Sequence, residues 1–170
     1  MDAESRRNQI LNILAKPNII ISASAMAKEL QVSRQVIVGD IAILRAQGHD
    51  IIATARGYMI PKLKDTAHFI GKVACKHLPR DTKAELYAIV DLDAAVINII
   101  VEHELYGEIT GNLNLINRED VDAFINKVES MEIKLLSELT SGIHLHTIAC
   151  RDKNHFEQVH QVLKQKKFII

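Results

Sequence analysis

The run Gly142-Ile143-His144-Leu145-His146-Thr147-Ile148 carries the densest potential chemistry in this chain. In an extended strand side chains alternate, so His144 and His146 fall on one side. Ile143 and Leu145 take the other side, where a core would want them. Two adjacent imidazoles are a natural ligand pair for a transition ion. The competing reading is a polar sheet face that carries two histidines by chance.

Further ligands are available upstream. His77 ends an expected strand and Glu85 lies in the first turns of the following helix. A sheet that brings the end of the first strand near the last one gathers three histidines and a glutamate, a set suited to a divalent ion such as Zn²⁺, Ni²⁺, Co²⁺ or Fe²⁺. Thr82-Lys83-Ala84-Glu85 also has the capping-box pattern, in which the glutamate bonds back to the helix start. His77 is equally readable as a strand-end histidine, and His103 as a ligand-binding or a turn residue. His49, His68, His155 and His160 have no companions at useful spacing and are expected in solvent.

Around these residues the pattern predicts an α+β domain over 66–170, in the order β-α-β-β-α-β-α. The strands are read at 66–77, with Ala67, Phe69, Val73 and Cys75 on one side, and at 94–103, 108–115 and 143–150. The helices are read at 82–92, 118–130 and 154–166. Such an order favours one mostly antiparallel sheet with helices on one face. Pro61-Lys62-Leu63-Lys64-Asp65 reads as a linker.

The first 62 residues have a different character. Helical spacing of Ile10, Leu11, Ile13 and Leu14 predicts a helix over 6–15 that Pro17 stops. Ser22-Ala23-Ser24 caps a second helix over 25–30, and Ser33 caps a third over 34–47. Val36, Ile37, Ile41 and Leu44 are expected on the inner face of that third helix, with Gly48 at its C-terminus. Residues 51–54 and 58–60 form a hairpin around Ala55-Arg56-Gly57. This is a helix-turn-helix with a wing. Ser33, Arg34 and Gln35 open the recognition helix, where arginine can grip guanine and glutamine adenine in a major groove. Arg56 at the wing tip can enter a minor groove or hold a phosphate. Gly39 costs the third helix about 1 kcal/mol relative to alanine and is expected to admit another element at close range. A three-helix bundle serving only as an interaction module is the alternative.

Composition bounds the rest. Of 170 residues, 48% are apolar and 25% charged, as in a folded domain or two small ones. Formal net charge is zero, but residues 1–62 carry +3 and residues 63–170 carry −3, which suggests different partners for the two parts. No segment is long and apolar enough for a bilayer, and the polar N-terminus has no signal-type apolar stretch, so a cytoplasmic protein is expected. Cys75 and Cys150 are expected as reduced, buried thiols. The lack of a Gly-rich phosphate loop argues against a nucleotide-binding enzyme.

These residues together resemble a known family, the NiaR-type repressors of NAD biosynthesis, which join a biotin-repressor-like winged helix to a three-histidine domain. The likeness is carried by Val32-Ser33-Arg34-Gln35-Val36-Ile37-Val38, by Ile51-Ile52-Ala53-Thr54 into Gly57-Tyr58, and by His77. It continues through Thr82 to Leu86, Ile89-Val90-Asp91, His103 with Tyr106-Gly107, and most specifically Leu139-Thr140-Ser141-Gly142-Ile143-His144-Leu145-His146-Thr147. The chain departs at His103-Glu104-Leu105-Tyr106-Gly107, where the family has His-Pro-Val-Tyr-Gly. Loss of the proline loosens that turn. The resemblance implies a non-enzymatic, homodimeric repressor that binds double-stranded operator DNA and senses nicotinic acid. It implies a metal held by His77, Glu85, His144 and His146, and effector contacts from His103 and Tyr106. A metal-sensing regulator and a metal-dependent hydrolase fused to a DNA-binding head are the competing functions.

Overall fold

A computed structural model describes residues 2–61 and 67–170. The chain divides into two compact units, Met1–Lys62 and Leu63–Ile170. Of the expected linker only Pro61 is described; residues 62–65, and the first residue of the strand expected from Thr66, lie outside the described residues.

In the first unit, α1 (Ala3–Leu14), α2 (Ala23–Glu29) and α3 (Arg34–Ala46) precede the two-stranded wing, β1 (Ile52–Thr54) and β2 (Gly57–Met59). Side-chain oxygens of Asp2, Ser22 and Ser33 cap the three helices, each satisfying an amide that has no partner within its helix. Ile10, Leu14, Met26, Ile37, Ile41 and Leu44 fill the core. The inner face of α3 differs from expectation. Val36 is exposed and Asp40 is buried in its place. Asp40 is tolerated there because Arg6 Nε lies 2.5 Å and Arg7 Nη1 3.5 Å from its carboxylate. Gly39 does not admit a neighbour, since a Cβ built on it meets nothing within 4 Å. Gly57 does: at φ +145° its missing side chain leaves room for the Ile21 backbone, 2.4 Å from where a Cβ would stand. That approach lets Tyr58 pair with Ile21, tying the wing to the α1–α2 connection.

The second unit has four strands, β3 (Phe69–Lys76), β4 (Ala95–His103), β5 (Gly107–Leu115) and β6 (Ile143–Cys150). They form one wholly antiparallel sheet in the order β3-β6-β4-β5. Three helices, α4 (Thr82–Val90), α5 (Arg118–Met131) and α6 (Lys153–Gln165), supply Leu86, Ile89, Val121, Val159 and Leu163 to the same core as sheet residues Val73, Val96, Leu113, Ile148 and Cys150. The α+β architecture and the antiparallel sheet are as the pattern predicts. Short 3-10 helices at Pro79–Asp81 and Leu136–Thr140 lead into α4 and β6. Cys75 and Cys150 are free and buried. Among the described residues no helix is long and apolar enough to cross a membrane.

One expectation about β6 is reversed. His144 and His146 share the helix-covered face with Ile148 and Cys150, and are 3% and 2% exposed. Ile143 is 45% exposed on the opposite face, which it shares with Leu145. The alternation itself holds, but the apolar pair at 148 and 150 outweighs Ile143 and Leu145 in choosing the buried side. His155, expected in solvent, is also buried: its Nε2–H donates to the Leu92 carbonyl at 2.6 Å and its Nδ1 accepts from Arg151 N–H.

Candidate functional site

Antiparallel register does the first step of assembly. Cys75 of β3 lies opposite His144 and Val73 opposite His146, so the chain just past β3 delivers His77 beside the two β6 imidazoles. The turn at Leu78–Asp81 reverses the chain into α4, whose first turn carries Glu85 inward until it is fully buried. The Glu85 carboxylate then lies 2.7 Å from His77 Nε2, 3.2 Å from His144 Nε2 and 3.3 Å from His146 Nε2. The structure thus brings together all four residues expected to hold a metal.

The far side of each ring is equally ordered. Nδ1 of His77 contacts the Leu78 carbonyl at 2.9 Å, Nδ1 of His144 the Gly142 carbonyl at 2.8 Å, and Nδ1 of His146 the Asn98 carbonyl at 2.9 Å. A carbonyl only accepts, so each Nδ1 bears the hydrogen and each neutral ring offers its Nε2 lone pair to the cluster. Three lone pairs and a carboxylate facing one another need a cation between them, either protons or a metal. The donor set therefore fits a divalent transition ion: borderline nitrogen and oxygen donors, spaced as ligands are, with a second layer of carbonyls fixing the rings. His77 Nε2 makes the closest approach of the three, at 2.7 Å from the carboxylate.

Electrostatics agree. Burial pushes the Glu85 carboxyl up, yet His146, His144 and His77 hold it well below the usual 4.5. Burial opposes charging of His77, but Glu85, helped by the Leu78 carbonyl and Asp81, raises its pKa above 6.5. Burial, with Glu85 beside it, drives the Cys75 thiol upward, so it stays protonated.

The capping-box reading of Glu85 does not describe the fold. Asp81 holds the cap position of α4, with no side-chain bond there, and Glu85 is occupied by imidazoles. Three contributors were absent from the expected site. Cys75 places its sulfur within 4.8 Å of donor atoms of both Glu85 and His144; it sits two residues before His77, the strand period that would have revealed it. Asn98 orients His146 because β4 shifts register between Val96 and Asn98. Gly142 orients His144, at φ +91°; its place before the histidines was the available signal.

A cavity of about 200 Å³ opens against this cluster. His77, Glu85, His144 and His146 form one wall, and Ile99, Leu113, Phe124, Val128 and Leu136 supply apolar surface. Thr82, Asn112 and Ser137 also line it, as does the exposed Lys134. His103 and Tyr106 do not line it. His103 ends β4 and Tyr106 lies in the turn to β5; their rings are 5.1 Å apart and His103 Nδ1 accepts from the amides of Leu105 and Tyr106. Tyr106 is 71% exposed.

In the first unit, Ser33 is engaged as the α3 cap, accepting from Val36 N–H at 3.3 Å. Arg34 and Gln35 are exposed on the first turn of α3. Arg56 is half-buried at the wing turn, its amide bonded to Thr54 Oγ1.

Comparison with known proteins agrees with the two units. Residues 6–59 match an HTH domain and residues 70–170 a 3H domain. A probable transcription repressor NiaR of Thermotoga maritima is 40% identical over 167 residues, covering 98% of this chain and 94% of the relative. The transcription repressor NadR of Bacillus subtilis is 36% identical over 168 residues, covering 98% and 93%. The chain belongs to the NiaR/NadR-type family of transcription repressors. As a member of that family it is a DNA-binding regulator and not an enzyme, and the hydrolase reading is set aside. The 3H domain places the buried cluster and its cavity in the part of a NiaR/NadR-type repressor suited to a small-molecule effector.

Proposed function

We propose that this chain is a homodimeric repressor of genes for NAD biosynthesis or niacin uptake, with nicotinic acid as its co-repressor. In this reading Arg34 and Gln35 of α3 meet base edges in the major groove, Ser33 holds the helix end toward a phosphate, and Arg56 of the wing contacts the backbone or minor groove. His77, Glu85, His144 and His146 hold a divalent ion in the second unit. The bound ion supplies positive charge and a position for an anionic oxygen. Nicotinate then lies in the adjoining cavity, its ring against Phe124 and Leu113, with Lys134 at the rim adding positive charge.

The observation that carries the reading is the cluster itself: four buried donor groups, each ring fixed from behind, lining a largely apolar cavity. The outer face of the sheet suits a second copy of the chain. It presents Ile70, Ala74, Ile143 and Leu145, with Lys72 and Lys76 on one side and Glu102 and Glu108 on the other. A two-fold pairing can set each basic side against the partner's acidic side.

The test is a gel-shift titration of operator DNA with metal-loaded protein. Nicotinate is expected to tighten operator binding, because an effector acts only through its preference for the DNA-competent state. Unchanged affinity refutes nicotinate as the signal. If chelation abolishes operator binding while nicotinate does nothing, the ion itself is the signal.

A further inference from the structure

Thr82 opens α4 one turn before Glu85, a spacing that puts both side chains on one helix face. Both line the cavity beside the histidine cluster. A threonine at a helix start ordinarily spends its hydroxyl on a cap. Here the cap position belongs to Asp81, and Glu85, the other half of the capping box, is taken by the imidazoles. Thr82 is 9% exposed, and its Oγ1 has no hydrogen-bond partner among the described residues. A buried hydroxyl left in this way costs about 1–3 kcal/mol, and native folds seldom keep one without use.

The surroundings define what would satisfy it. The cavity, at about 200 Å³, is of a size for a single small ring. Its largely apolar lining suits a flat hydrocarbon or heteroaromatic surface, and the histidine cluster in that lining suits a cation. Thr82 stands one turn before Glu85 on the same helix and lines the same cavity as the cluster.

We propose that Thr82 is a specificity-determining residue of the effector site, its hydroxyl donating a hydrogen bond to the carboxylate of a small aromatic monocarboxylate. One carboxylate oxygen is directed toward the cluster of His77, Glu85, His144 and His146, and the other accepts from Thr82 Oγ1. This inference rests on the assignment of the cavity as the effector site made above.

Calorimetric titration of nicotinate and of benzoate into the full-length, zinc-loaded protein tests it, with Thr82→Ser and Thr82→Val compared with wild type. Elemental analysis and thermal melting establish that each variant keeps its zinc and its fold. Thr82→Ser is expected to bind within about threefold of wild type, and Thr82→Val about tenfold or more weaker. Thr82→Ala is read in the same way if the valine variant does not fold. Equal binding by wild type and the hydroxyl-free variant overturns the role of Thr82 and leaves the cavity assignment standing. Failure of metal-loaded wild type to bind either probe overturns both.

Discussion

Gly142→Ala separates a glycine needed for its turn from one needed for the histidine cluster. Gly142 has φ +91°, a conformation that costs an L-residue about 1–3 kcal/mol. A Cβ there would stand 2.3 Å from the His77 carbonyl oxygen, against a normal carbon–oxygen contact of roughly 3.3 Å. Relief therefore needs a displacement of about 1 Å, either of His77, itself one of the four donors, or of the Gly142 carbonyl that aligns His144. Strain and displacement together predict about 2–4 kcal/mol of destabilisation, on the order of 10 °C in melting temperature for a unit of this size. Zinc affinity, measured by competition with a chromophoric chelator, is expected to fall 10- to 100-fold. Gly107→Ala is the control: φ is +73°, and nothing lies within 4 Å of its added Cβ. It is expected to incur the conformational cost of about 1–2 kcal/mol while keeping wild-type zinc affinity. A Gly142→Ala protein no less stable than Gly107→Ala, with undiminished zinc affinity, would refute the argument that this backbone approach aligns the cluster.

Other consequences are testable with simpler readouts. Lowering pH is expected to weaken metal binding, starting above pH 6.5, because Glu85 raises the pKa of His77 and a proton competes for Nε2. In metal-free protein the sign reverses: the raised His77 pKa contributes stability fully present below its ordinary value of 6.5 and lost as pH rises through the raised one. Urea melts of metal-free and zinc-loaded protein from pH 5 to 8 measure both, and parallel pH dependences would count against the cluster as a shared proton and metal site. Asp40→Asn removes the carboxylate that pairs with Arg6 and Arg7 and is expected to lower the thermal stability of the first unit; an unchanged melting temperature contradicts this. Arg34→Ala is expected to weaken operator binding by about 1–3 kcal/mol and relax preference at one base position. A uniform loss across sequences in a gel-shift series would reassign Arg34 to phosphate contact.

Local signals made most of the elements legible. Ser22 and Ser33 sit one residue before their helices because hydroxyl capping is a short-range effect, and Gly48 follows α3 at φ +94° for the same local reason. What the pattern left open depended on partners distant in sequence. Asp40 is buried only because Arg6 and Arg7 arrive from α1, a pairing that no local pattern displays. The capping motif at Thr82 was a valid local option, overridden when β3 and β6 set three imidazoles against Glu85. The face chosen by His144 and His146 was decided at the other end of β6, where Ile148 and Cys150 occupy the helix-covered core. His155 looked solvated because its acceptor, the Leu92 carbonyl, lies 63 positions away.

Energetics explain why the second unit would hold such a cluster on its buried face. A carboxylate and three imidazoles removed from water carry a desolvation cost that mutual contact alone recovers poorly. Open positions for water were not the alternative, since the β6 register that buries Ile148 and Cys150 buries the histidines as well. A divalent ion held there would convert that liability into binding free energy, and binding that requires a folded site is free energy of folding. The three backbone carbonyls behind the rings belong to Leu78 after β3, Asn98 in β4 and Gly142 before β6. Occupation of the cluster by an ion, as proposed, would therefore tie three strands of the sheet together at once. In a repressor, whatever tightens the effector-binding unit can bias it toward the DNA-competent state, and an effector that adds a contact to the same cluster acts through the same strands.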